Sequence, residues 1–301
     1  MSDCRNCGSI EVRDLGFIGE VAPFFLKRVF NIETRIVRSA HPVKKLIQAV
    51  TSQPAKAMSR LHRHAAMIEM QACTACSFVQ AKHSFADESL SNLYLDYRSD
   101  SYNRERIHYE PDYRSIAEQV GSSTVETEAR IETLTQWLRD KIVGDSSFSM
   151  LDYGGADGKF LPRIPGNKFV YEISDTQPAD GITLIRNEAD LNAYSYIQLA
   201  HILEHVSKPL ELVHKISHWL LPNGYIYIEV PQDCSDFKVS QLVEGTYKGS
   251  LSVHEHVNLY TKKSVEKLLE SAGLKAIKVE AVFLDLGWTK TINIRALGRK
   301  P

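Results

Sequence analysis

Between residues 146 and 232, short apolar runs alternate with polar, turn-rich segments, and the first run ends in a cluster of glycines. Residues 148–153 read as a strand that passes directly into Gly154-Gly155-Ala156-Asp157-Gly158. Residues 168–172 form a second strand, 182–184 a weaker third, 196–200 a fourth and 225–230 a fifth. A helix from about 209 to 221 separates the last two. Its apolar positions Leu212, Val213, Ile216, Leu220 and Leu221 fall near helical spacing, and Pro222-Asn223-Gly224 stops it. Strands alternating with helices predict a parallel sheet covered on both faces. Residues 275–283 and 291–297 can pair as antiparallel strands beside it.

The rest of the chain divides around this block. Residues 1–85 carry two cysteine pairs with a long insertion between them, 86–145 are polar and helical in pattern, and 146–301 hold the alternating block with its C-terminal segment. No apolar run approaches the ~20 residues that span a bilayer. The polar start, Met1-Ser2-Asp3-Cys4-Arg5, has no signal-peptide pattern, so a cytoplasmic protein with no membrane span is expected. The formal net charge of −1 gives no sign of a nucleic-acid partner. Residues 44–64 are locally basic (Lys44, Lys45, Lys56, Arg60, Arg63), either a solvated helical face or a patch for a phosphate or acidic partner.

Four of the five cysteines fall in the pairs Cys4-x-x-Cys7 and Cys73-x-x-Cys76, and Cys234 stands alone. In a reducing compartment, metal binding is expected over disulfides. Two such pairs complete a tetrahedral zinc site that holds structure and has no open position for catalysis. His62 and His64 are alternative ligands.

Asp152-x-Gly154-x-x-x-Gly158 sits between a strand and an expected helix. Its glycines allow a tight turn and close approach of backbone to a ligand. Glu172, ending the next strand, can accept hydrogen bonds from two ribose hydroxyls. A dinucleotide site would favour a third glycine where Ala156-Asp157 stands. The run 151–158 resembles the first motif of class I S-adenosylmethionine (SAM)-dependent methyltransferases. His201-Ile202-Leu203-Glu204-His205-Val206 with Lys208-Pro209, then Leu220-Leu221-Pro222-Asn223-Gly224 and Ile228-Glu229-Val230-Pro231, resemble their later segments. This likeness implies a Rossmann-like α/β core. It also implies that SAM is held by Asp152, Gly154, Gly155, Ala156, Gly158 and Glu172, with His201, Glu204 and His205 at the crevice. Ala156 and Ser195 depart from the commonest pattern.

Cys4-Arg5-Asn6-Cys7-Gly8, Asp14-Leu15-Gly16 and Cys73-Thr74-Ala75-Cys76-Ser77-Phe78-Val79-Gln80, with His254-Glu255-His256 further on, resemble the zinc-containing nucleotide-sugar C-methyltransferases. The resemblance implies structural Zn2+ on Cys4, Cys7, Cys73 and Cys76, and a helical lid over a nucleoside-diphosphate keto-sugar. It also implies a catalytic set of His254, Glu255 and His256 with Tyr94 and Tyr97. Glu255 and His256 would be the base; Arg98, Arg104 and Arg106 are candidates for substrate phosphates. Val253 stands where that family carries a tyrosine. The same base could serve O-methylation in surface-polysaccharide synthesis, and a catalytically silent scaffold is a further alternative.

Overall fold

The computed structural model describes residues 3–33, 66–97, 99–115, 117 and 124–301. The basic segment 44–64, with His62 and His64, and Arg98 lie outside them. In chain order the elements are β1 (Val12–Val21), α1 (Pro23–Phe30), β2 (Ala66–Cys73), β3 (Val79–Ala81), α2 (Asp87–Ser91), α3 (Asp100–Tyr109) and α4 (Thr124–Leu138). There follow β4 (Ser149–Tyr153), β5 (Asn167–Tyr171), β6 (Ile182–Ile185), β7 (Tyr194–Ala200), α5 (Pro209–Ser217), β8 (Leu220–Pro231) and α6 (Asp236–Glu244). The chain closes with β9 (Leu251–Val253), β10 (Asn258–Leu259), α7 (Lys262–Ser271), β11 (Lys275–Asp285) and β12 (Lys290–Arg299).

These strands form two sheets. The larger runs β11-β12-β8-β7-β4-β5-β6. Its strands β4 to β8 are parallel, and β12 is antiparallel to both β8 and β11. The chain moves outward from β4 through β5 to β6, then returns to the other side of β4 with β7. That reversal opens a crevice at the C-terminal ends of β4 and β7, where α/β folds bind ligands.

The expected alternation is only partly realised. Among the described residues, the β7-to-β8 crossover carries an α-helix, whereas β4 to β5 and β5 to β6 have none, and β6 to β7 has a single 3-10 turn at Glu188–Asp190. Pro162 and Pro165 explain the first of these, because proline within a helix removes a backbone donor and clashes with the preceding turn. The helix that does form is shorter than expected. It ends at Ser217, and Pro222-Asn223-Gly224 lies inside β8. The register jumps from Tyr194 opposite Leu220 to Tyr196 opposite Tyr225, so these residues make a bulge, with Asn223 at φ 63°.

The smaller sheet runs β10-β3-β2-β1-β9. Its three central strands come from the cysteine-bearing segment, while both edges come from the C-terminal half. β9 runs parallel to β1 and β10 antiparallel to β3. Sequence patterning placed no strands at β9 and β10, since two or three residues are too few for a period to show.

The two sheets share a core. Cys4, Cys73, Cys76 and Phe78 pack in one cluster with Leu151, Ile197, Leu199 and Ile228 of the large sheet and Val265 and Leu268 of α7. Helix α4 supplies Leu134 and Leu138 to a separate cluster with Met150, Tyr196 and Tyr227. A capping box of Thr261 and Ser264 starts α7, and the Asn6 side-chain amide donates to the Ser264 carbonyl (2.8 Å). The first cysteine knuckle is thereby tied to the first turn of a core helix.

Candidate active site

The turn after β4 uses left-handed backbone at three positions, two of them glycines and the third Ala156, where the Cβ makes that conformation costly. Gly154, Ala156 and Gly158 have φ of 70°, 54° and 73°. A Cβ on Gly155 would lie 2.1 Å from the Asp152 carboxyl carbon, so only glycine fits there. Glu172 anchors the turn from the next strand. Its carboxylate accepts from the Ala156 N–H (3.0 Å) and the Ser174 N–H (2.8 Å). Asp152 is buried and accepts from the Gln198 amide (3.3 Å), and burial pushes its carboxyl up to about 7. A Cβ on Gly154 would meet Ile202 at 2.8 Å, which brings the turn against the loop that follows β7.

That loop carries His201, Glu204 and His205, and it is clamped from the far end of the chain. The Asn258 side-chain amide donates to the carbonyls of Leu203 (2.9 Å) and Val206 (2.7 Å), and the Val257 N–H donates to the Glu204 carbonyl (2.9 Å). Glu204 is fully buried, with His201 Nδ1 at 3.1 Å and His205 Nε2 at 3.7 Å. Burial alone would raise its carboxyl, but the positive charge of His205, with His201 and His256, holds it at about 2. Tyr94 Oη approaches His205 Nδ1 at 2.6 Å, and burial lowers the pKa of this imidazole. His256 completes the group, its ring 5.0 Å from that of His205. Burial opposes protonation of His256, but Asp233, 2.8 Å from Nδ1, raises it to about 9.

The other candidates lie around this centre. Tyr97 packs edge-on against Tyr94 and Tyr102. The Glu255 carboxylate forms an ion pair with Arg106, which also contacts Glu110 (3.2 Å) and stacks over the Tyr113 ring (4.0 Å). Arg106 is thus buried in carboxylate contacts and is not presented to a substrate phosphate; Arg104 is exposed. His254 is 45% exposed and lies 3.7 Å from Glu110. His201 reaches Glu229 (3.3 Å) as well as Glu204, and its φ of 57° is held by these contacts.

The two cysteine pairs meet. The Sγ atoms of Cys4 and Cys76 are 3.7 Å apart and those of Cys7 and Cys73 3.8 Å, and all four lie within 4.8 Å of one another. Four sulfurs about 2.3 Å from one tetrahedral zinc ion would be spaced at about 3.8 Å. The two knuckles fold alike: Gly8 N donates to Cys4 O (2.8 Å) and Ser77 N to Cys73 O (2.9 Å), with Gly8 and Ser77 both at positive φ. The donor set and its spacing fit Zn2+.

The chain matches the family profile of a methyltransferase domain over residues 124–279. It belongs to that family. The protein is a SAM-dependent methyltransferase with an α/β methyltransferase fold. No curated protein matches it. Among solved structures, a putative methyltransferase from Bacillus halodurans is similar at TM-score 0.43 and 10% identity, over 56% of this chain and 99% of that one. The N-methyltransferase NodS from Bradyrhizobium japonicum, bound to S-adenosyl-L-homocysteine, gives 0.39 and 14%, over 64% and 98%. The 1,6-didemethyltoxoflavin-N1-methyltransferase from Burkholderia thailandensis gives 0.44 and 13%, over 75% and 97%. Likeness this distant sets no substrate for the present methyltransferase. Among its described residues, no helix is long and apolar enough to cross a membrane.

Sequence reasoning missed Asp233, Glu110 and Asn258 in this methyltransferase. Asp233 had a usable signal, since it lies two residues beyond β8, at the strand end where such crevices form. The buried Asp152 also gives a testable sign. Its raised pKa means the ionised form is disfavoured in the fold. Stability present below the unfolded value of about 3.9 is therefore lost as pH rises through about 7. Asp152→Asn removes that loss, so the variant should gain on the native protein between pH 4 and 8, by up to about 4 kcal/mol. Parallel pH–stability profiles in thermal denaturation would refute this.

Proposed function

We propose that this methyltransferase transfers the methyl group of SAM to a sugar, with a keto-sugar on a nucleoside diphosphate as the first acceptor to test. The observation that carries the reading is the convergence of Tyr94, Glu204, His205 and His256 on the crevice beside the Gly154–Gly158 turn. This is a polar pole suited to a hydroxyl or enol oxygen. SAM, when bound, supplies an electrophilic methyl group on a sulfonium. Gly155 lets the turn pack directly on Asp152, where a Cβ would collide, and Glu172, which holds the Ala156 N–H of the same turn, is the carboxylate assigned to the ribose. The imidazoles of His205 and His256 orient the acceptor's reacting oxygen. We assign Glu255 a supporting part, because its carboxylate is held by Arg106 while its carbonyl lies 3.2 Å from His205 Nδ1. Tyr94 and Tyr97 line the acceptor side, and the segment bearing α2 and α3 acts as the lid. Zn2+ on the four cysteines supplies a cross-link and no chemistry.

One observation favours O-methylation as a second reading. Val253, where the C-methyltransferases carry a tyrosine, is fully buried in β9 opposite Val21, so its side chain belongs to the core and not to the acceptor site.

The test is calorimetric titration of the zinc-loaded enzyme with SAM and S-adenosylhomocysteine, then turnover on a panel of nucleoside-diphosphate sugars with product NMR. Micromolar SAM binding, weakened at least about tenfold in Glu172→Ala (about 1.4 kcal/mol), together with a methylated sugar, is the expected result. Normal SAM binding with no sugar methylated would overturn the acceptor assignment.

A further inference from the structure

We propose that Glu204, His205 and His256 form a second metal site, separate from the cysteine cluster, for a divalent first-row transition cation that receives the acceptor's oxygens. One ligand atom from each of the three lies within 4.8 Å of the others, a spacing that small side-chain adjustments close around a single ion. Two histidines and one carboxylate leave further coordination positions open, unlike the closed four-thiolate set.

The second argument comes from the partners behind the ligands. Metal-binding histidines characteristically hold their second ring nitrogen against a carboxylate, carbonyl or hydroxyl partner, which fixes the ring and aims the other nitrogen at the ion. His256 Nδ1 is held by Asp233 (2.8 Å), and His205 Nδ1 by Tyr94 Oη (2.6 Å) and the Glu255 carbonyl (3.2 Å). Both rings are therefore fixed from behind, and His205 Nε2 faces the Glu204 carboxylate at 3.7 Å.

The third argument is an unmet need. Glu204 is fully buried, and its Oε2 has no hydrogen-bond donor. A buried carboxylate with an oxygen left without a partner is costly, and a cation bound by this carboxylate and the two imidazoles would offset that cost. Asp233 and Glu255 add negative charge around the same point, while Arg106 is already paired with Glu255 and Glu110. The mixed nitrogen and oxygen donors suit manganese, iron, cobalt or zinc better than magnesium or calcium, which prefer oxygen alone.

The site deepens the sugar reading and rests on it for the identity of the acceptor. A cation with adjacent open positions takes two neighbouring oxygens, so the acceptor class narrows to a vicinal diol or an α-hydroxyketone of the sugar.

The test uses the full chain with its cysteine site loaded with zinc and adds Mn2+, an ion that thiolates bind weakly. Electron paramagnetic resonance and calorimetry should show one Mn2+ bound per chain. Affinity should fall at least about thirtyfold in His256→Gln and in Glu204→Gln, with a single cooperative thermal transition and full zinc content in each variant as the check on folding. If either variant fails to fold, Asp233→Asn reads the same site from behind, with an expected loss of about 10–100-fold. No Mn2+ uptake, or uptake indifferent to the folded variants, overturns the proposal even if a sugar is methylated. Conversely, Mn2+ binding that depends on these residues, with no sugar turned over, leaves the metal site standing and rejects only the acceptor.

Discussion

Stripping the zinc proposed for the four-cysteine cluster should abolish methyl transfer, through the fold and not through the chemistry, because four thiolates leave no coordination position open. Structural zinc sites contribute on the order of 10 kcal/mol to the folding of small modules, comparable with the roughly 5–15 kcal/mol that separates a whole domain from its unfolded state. Here the cluster is not insulated from the rest of the molecule. Cys4, Cys73 and Cys76 share a core with the large sheet, and Asn6 is bonded to α7. The segment His254–His256 is strung between β9 and β10, the two outer strands of the sheet the cysteines organise. Cys73→Ser should therefore lower zinc content and the thermal midpoint together, by more than about 10 °C, and lose turnover in proportion. Differential scanning calorimetry with metal analysis checks this. A soluble variant with full zinc and an unchanged midpoint would argue against the four-thiolate site.

Gly155→Ala should reduce SAM affinity at least about 100-fold, or about 2.7 kcal/mol. The added methyl would fall 2.1 Å from the Asp152 carboxyl carbon and 2.3 Å from Oδ2, far inside contact distance. Asp152 cannot swing clear, because its side chain is buried and held by Gln198. The turn must then move, and with it the Ala156 N–H that Glu172 holds. Since the strain is confined to a loop, the variant should still fold, and calorimetry with S-adenosylhomocysteine isolates the loss. Native-like affinity would mean the cofactor does not lie against this turn.

The parts of the molecule that sequence revealed are those whose signals are local. Strands β4, β5, β7 and β8 show as apolar runs, the turn at Gly154 as glycines after a strand, and the cysteine knuckles as a three-residue spacing on each side. The missing helix between β4 and β5 was also written locally, in Pro162 and Pro165, and the expectation of regular alternation overrode it. What sequence could not show is pairing across distance. Nothing near His256 announces Asp233, nothing near Glu255 announces Arg106, and two-residue β10 carries no period that would match it to β3. The same holds for the histidine pole, where Glu204 and His205 meet His256 through the bonds by which Asn258, Val257 and Glu255 fasten one loop to the other.

The route of the chain through the small sheet bears on how such an enzyme can change. Its outer strands are supplied by the same polypeptide half that carries the methyltransferase domain, and the loop bearing His254, Glu255 and His256 hangs between them. The N-terminal segment and the catalytic half are consequently not exchangeable cassettes. A graft that kept the cofactor-binding half and replaced the front end would have to offer two correctly spaced strand edges before the loop could settle. Without them β9 and β10 would present unpaired backbone, the kind of edge that draws chains into aggregates. New acceptor preferences are more accessible through substitutions on the loops themselves than through recombination at the boundary between the halves.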